Sequence, residues 1–165
     1  MTIKHLALSL LLATLAFVGC KKEEEPKDPE PTVNVIIPGI GTTVLKIGDV
    51  AQKAIDLYGT PLPSYGAAGG QYFHFLVYSS KGVTIYLEPT PEATFNPQMK
   101  IESLKFSGVY SAKTEKGIGI GSTKAAVIAA YGNPDSSSQF FGDEYAIGII
   151  FFYDGTDKVE SIEVE

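Results

Sequence analysis

Ile47-Gly48-Asp49-Val50-Ala51-Gln52-Lys53-Ala54-Ile55-Asp56-Leu57-Tyr58-Gly59-Thr60-Pro61 is answered 73 positions later by Ile120-Gly121-Ser122-Thr123-Lys124-Ala125-Ala126-Val127-Ile128-Ala129-Ala130-Tyr131-Gly132-Asn133-Pro134. Ile, Gly, Ile, Tyr, Gly and Pro recur in register, so the chain reads as two copies of one unit. Asp49 and Ser122 carry side-chain oxygens that can accept from the first free amides of a helix, and Gly48 and Gly121 before them permit a sharp turn into it. Gly59 and Gly132 can take the left-handed conformation after the last turn, and Pro61 and Pro134 block continuation. Between these signals Val50, Ala54, Ile55 and Tyr58, and then Val127, Ile128 and Tyr131, form an apolar stripe.

Strand signals follow each helix: residues 71–78, 82–88 and 100–106, then 145–153 and 158–164, with a further strand about Phe140. Lys100-Ile101-Glu102-Ser103-Leu104-Lys105-Phe106 matches Lys158-Val159-Glu160-Ser161-Ile162-Glu163-Val164 at the shorter spacing of 58, which leaves residues 89–99 without a counterpart. Asp154-Gly155 and the stretch Ser79-Ser80-Lys81-Gly82 read as hairpin turns. The expected class is α+β: two tandem repeats of a short helix and an antiparallel meander, with the helices on one face of the sheet. Repeat one covers about 44–107 and repeat two about 117–165, within a domain of residues 33–165.

An Ile-Gly helix start, an apolar helix, Tyr-Gly-x-Pro and Tyr-bearing strands together resemble the tandem repeats of the SmpA/OmlA (BamE-like) and β-lactamase-inhibitor-protein-like superfamily. The residues that carry the resemblance are Gly48, Tyr58, Gly59, Pro61, Gly121, Tyr131, Gly132 and Pro134. It implies a scaffold or inhibitor that works through a sheet surface, and it transfers no catalytic residue.

The N-terminus is an address. Lys4 precedes the apolar run from Leu6 to Val18, whose 13 residues fall short of the roughly 20 that span a bilayer, so residues 1–19 read as a secretory signal peptide. Leu15-Ala16-Phe17-Val18-Gly19-Cys20 resembles a bacterial lipobox, which implies lipidation of Cys20 as the mature N-terminus. Lys22, Glu23 and Glu24 resemble the Bacteroidota export signal of surface lipoproteins. Residues 20–32 then form a charged, Pro-rich tether with too little apolar surface to order itself. The expected place is the outer membrane, lipid-anchored and surface-exposed, with its periplasmic face as the alternative.

Composition excludes more than it assigns. The net charge of −6 becomes −7 once residues 1–19, which hold Lys4 and no acid, are removed. All basic residues are lysines, so no guanidinium is present to grip phosphate, and nucleic acid is not expected as a partner. Gly117-Ile118-Gly119-Ile120-Gly121 looks like a phosphate loop, yet only Gly121 has a counterpart in the first copy and no P-loop lysine follows, so nucleotide is not expected either. The single cysteine rules out an intrachain disulfide.

His74, alternating with Phe73, Phe75 and Val77, is expected on the polar face of a strand. The acids Asp143-Glu144 and Asp154 with Asp157 are expected in solvated turns. No catalytic residue, metal site or cofactor is expected. The candidate partner contacts are Tyr65, in the uncharged loop 63–71, and Phe95, in the polar insertion 89–99. The function expected is a non-catalytic protein-binding or envelope-scaffold lipoprotein, and the alternative is an inhibitor or ligand-sequestering protein directed at an extracellular enzyme.

Overall fold

The structure, a computed structural model, describes residues 34–138 and 140–165. The signal peptide, Cys20, the export signal Lys22, Glu23 and Glu24 and the tether lie outside the described residues. In chain order the elements are β1 (Val35–Ile37), β2 (Gly41–Thr42), α1 (Ala51–Tyr58), β3 (Leu62–Ala68), β4 (Gln71–Tyr78), β5 (Val83–Leu87), β6 (Ile101–Ser107), β7 (Lys113–Thr114), α2 (Lys124–Tyr131), β8 (Ser136–Ser138), β9 (Gly142–Tyr145), β10 (Ile149–Tyr153) and β11 (Val159–Val164).

The expected fold class is corrected. The described chain is mostly β, and one continuous antiparallel sheet, ordered β3-β4-β5-β6-β11-β10-β9-β8, takes the place of two helix-plus-meander repeats. The pairing that makes it continuous joins β6 to β11, with Phe106 opposite Ile162 and Leu104 opposite Val164. Each helix has only eight residues, about 12 Å of length, too little for a helical layer. A three-stranded sheet, β2-β1-β7, accompanies the large one.

One face of the large sheet makes the core. Leu76, Ile85, Leu104, Phe106, Ile149, Phe151, Ile162 and Val164 are buried there together with Ile36, Leu45, Ala51, Ala54 and Val127. Alternation along each strand sends the next residue to the opposite face.

The helix ends differ from expectation in informative ways. The N-caps are Val50 and Thr123, one residue later than Asp49 and Ser122. Val50 offers no side-chain cap because α1 needs none: the Ala51 and Gln52 amides donate to the Met99 and Pro97 carbonyls at 2.9 and 2.8 Å, so the 89–99 insertion satisfies amides a cap would otherwise serve. In α2 the Thr123 hydroxyl accepts from the Ala126 amide. Asp49 instead accepts from the Lys46 amide and the Lys53 ammonium, and Ser122 from the Gly119 amide.

Gly59 and Gly132 have φ of 90° and 84° with ψ of −165° and −166°. These are positive φ angles with an extended ψ rather than the left-handed helical conformation, a region essentially closed to other residues. A Cβ at either site would meet nothing within 4 Å, so the cost of substitution there is backbone strain alone. Gly59→Val and Gly132→Val should each destabilise the domain by about 1–3 kcal/mol, read as a lower urea midpoint; unchanged midpoints in both would refute the assignment.

Candidate binding surface

The face of the sheet turned away from the core carries Phe73, Phe75 and Val77 of β4, Thr84 and Tyr86 of β5, Ser103 and Lys105 of β6, Glu163 of β11, and Ile150 and Phe152 of β10. The register lines them up across strands. Val77 faces Thr84, Thr84 faces Lys105, Lys105 faces Glu163, and Glu163 faces Ile150. The apolar members are half-buried or exposed, and none belongs to the core cluster. Phe75 and Tyr86 touch ring to ring at 5.9 Å, and the Lys105 ammonium lies 4.2 Å from the centre of the Phe152 ring, an attractive contact of cation and π face. Ser103 donates to Glu163 at 3.0 Å. Burial pushes the Tyr86 hydroxyl up, and the Glu163 charge adds to it.

Residues 63–71 are not a loop. Pro63 to Ala68 belong to β3, which pairs with β4 along seven residues and turns at Gly69-Gly70. A run of small and uncharged residues concealed the strand, which is exposed from end to end and so shows little apolar alternation. Tyr65, 59% exposed, lies opposite His74.

His74 is likewise corrected. It shares the core-side face with Leu76 and Tyr78 and is 3% exposed. Its Nε2 lies 3.0 Å from the Glu92 carbonyl, a geometry that calls for a proton on that nitrogen. The insertion therefore folds back over β4, where Thr90 and Tyr72 exchange backbone bonds at 2.7 and 3.0 Å. Phe95 is half-buried against the core rather than displayed. The two sequence-derived contacts nonetheless meet: Tyr65 and Phe95 line one small cleft with Pro63, Ser64, His74 and Ala93, about 210 Å³ in volume.

Asp143 was expected in a solvated turn and is instead 1% exposed. Alternation in β9 explains this, since Asp143 sits two residues before buried Tyr145 and directly opposite Phe151. The Lys124 ammonium of α2 lies 3.1 and 3.0 Å from its two oxygens, and the Ser137 hydroxyl donates to it. Burial alone would raise the Asp143 pKa, but the bonds from Ser137 and Lys124 and the Lys124 charge outweigh it and hold the carboxyl below its ordinary range. The cluster fastens α2 to the sheet. The strand expected about Phe140 is also displaced: Phe140 and Phe141 occupy the turn from β8 to β9 and are 82% and 76% exposed.

Asp154 caps the β10–β11 hairpin, accepting from the Thr156 amide, the Thr156 hydroxyl and the Lys158 amide. Among the described residues no group of three His, Cys, Asp or Glu is placed to hold a metal ion. Gly48, Gly59, Gly121 and Gly132 all take positive φ, while Tyr58 and Tyr131 pack on the core; these residues do structural work. The Asp143 burial was readable from its spacing to Tyr145, whereas its Lys124 partner, 19 residues away, carried no signal.

Because its folded pKa is lowered, ionised Asp143 contributes stability that is complete above about pH 4 and is lost as the pH falls through the lower folded value. Asp143→Asn should cost about 1–2 kcal/mol at neutral pH and reduce the drop in urea midpoint between neutral and acidic buffer. An unchanged acid dependence would show that Asp143 is not the group responsible. No family model, no curated protein and no solved structure matches the chain.

Proposed function

We propose that the chain is a lipid-anchored outer-membrane or surface lipoprotein whose β domain binds a protein partner without catalysing a reaction. Cys20 tethers it, residues 21–32 give it reach, and the outward sheet face makes the contact. The observation that carries this reading is the composition of that face: exposed Phe73 and half-buried Phe75, Val77, Tyr86, Ile150 and Phe152 lie together on rigid strands, interleaved with Thr84, Lys105 and Glu163. Aromatic side chains on a preorganised backbone lose little entropy on binding and supply most contact energy at protein interfaces. An apolar patch rimmed by polar residues is the usual mark of such a surface.

Two measurements test the two halves. Protease treatment of intact cells should remove the domain from wild type and leave the Cys20→Ala chain, retained inside, untouched; protection of wild type until the outer membrane is opened would move the domain to the periplasmic face. A photo-activated cross-linker placed at Tyr86 or Phe152 should yield discrete adducts in cells, and one at the exposed but remote Val109 should not. Equal labelling from all three positions would remove the case for the sheet face.

A further inference from the structure

The large sheet ends at β3, a strand exposed along its whole length. Tyr72 spends both its N–H and its C=O on Thr90, on the side away from β3. In an antiparallel ladder the residue opposite it, Ala67, then points its own backbone groups away from β4, and alternation extends this to Tyr65 and Pro63. The free edge therefore presents the amides of Tyr65 and Ala67 and the carbonyls of Pro63, Tyr65 and Ala67. Pro63 lacks an N–H, and it stands where that absence leaves the bonds to β4 intact.

Natural edges are usually guarded by charge, brevity or cover. At the other end of the sheet β8 is three residues long, follows Asp135 and faces Asp143 and Glu144. β3 has seven residues and, among the described residues, neither charge nor cover, its one guard being Pro63, which removes a single outward amide. Residues 57–80, which contain the whole β3–β4 hairpin, hold no Asp, Glu or Lys, although Asp56 and Lys81 bracket them and the chain carries a net charge of −6. Like-charge repulsion between two copies of this acidic chain is weakest where these hairpins meet.

The strand is also complementary to itself. We propose that β3 pairs antiparallel with β3 of a second copy about a twofold axis at Tyr65, joining two eight-stranded sheets into one. This register pairs all seven residues. The two Tyr65 residues exchange both backbone bonds, and each Ala67 amide donates to the Pro63 carbonyl of the other copy. Leu62 falls opposite Ala68, Pro63 opposite Ala67 and Ser64 opposite Gly66, the two Tyr65 side chains meet at the axis, and no charge meets a like charge. Leu62 and Tyr65, 70% and 59% exposed, become covered. The interface closes on itself, because each copy has one such edge and the short β8 edge does not extend the assembly. The inference depends neither on the lipid anchor nor on what the outward face binds.

The test uses the full chain in the cells that make it, with mild copper-catalysed oxidation. Tyr65→Cys places two thiols across the axis at a spacing a disulfide accepts, and the expected product is a species of doubled mass that reductant dissolves. Val109→Cys, exposed but distant, and the wild type with Cys20 alone are the controls. Adding Ala67→Pro, which removes only an outward amide, should weaken self-association about tenfold or more. If Tyr65→Cys fails to fold, co-expressed Ser64→Cys and Gly66→Cys chains replace it, since a Cβ at Gly66 meets nothing within 4 Å. A monomer in every variant, an adduct of another mass, cross-linking as strong from Val109→Cys, or indifference to Ala67→Pro would each overturn the proposal.

Discussion

The pairing of β6 with β11 is the constraint on which the rest of the structure depends. Ser107, Phe106, Lys105 and Leu104 face Ser161, Ile162, Glu163 and Val164, and this one seam turns two four-stranded runs into an eight-stranded sheet. Phe106 and Ile162 lie at its centre and are almost wholly buried. Contacts between residues this far apart in the chain make a fold slow to form and cooperative once formed. Both helices take their position from the strands at this seam. The Gly48 and Gly121 amides donate to the Ile101 and Val159 carbonyls, at the first residues of β6 and β11, and Ile101 and Val159 return bonds to Asp49 and Ser122.

That arrangement also explains which sequence signals could be read and which could not. β4, β5, β6 and β11 were legible within a residue or two because alternation of Val, Ile, Leu, Phe and Tyr marks a half-buried strand. The positions of the helix C-termini, at Gly59 and Gly132, were legible because Gly-x-Pro is local chemistry, whereas the N-caps fell one residue later than the sequence indicated. β3 was not legible, since an edge strand exposed on both faces has no reason to alternate, and Pro63, Gly66, Gly69 and Gly70 imitate a loop. Fold class failed for a related reason: apolar stripes at Val50–Tyr58 and Val127–Tyr131 indicate that helices exist, but their weight in the architecture depends on how many strands merge, and that is decided at β6–β11.

Of the candidate site, Tyr65 and Phe95 could be nominated singly as aromatics in polar surroundings. Their convergence on one cleft depends on the insertion folding back through Thr90 and Glu92 onto β4, a long-range event with no local mark. His74 shows the same limit in reverse. Alternation correctly separates it from Phe73 and Phe75, but a sheet with apolar residues on both faces does not reveal from sequence which face is the core, and the polar residue turned out to be the one inside.

The two apolar faces follow from topology. Most neighbouring strands within a run are joined by short turns, such as Gly69-Gly70 and Ser79–Lys81, and the exception is β5 to β6, joined through the 89–99 insertion. All the longer connections, with α1, α2, the β2-β1-β7 sheet and the 89–99 insertion, cover a single side, and the hydrophobic cluster with its half-buried fringe is confined there. The far side is left with strands rich in aromatic and β-branched residues, as strand propensity favours, and among the described residues no helix or strand packs over them. Lys105, Glu163 and Thr84 interrupt it with polar groups, and contacts such as Lys105 over Phe152 hold its side chains in place. A surface that is apolar, rigid and left uncovered by the described elements is one that a partner can bury at little cost in conformational entropy.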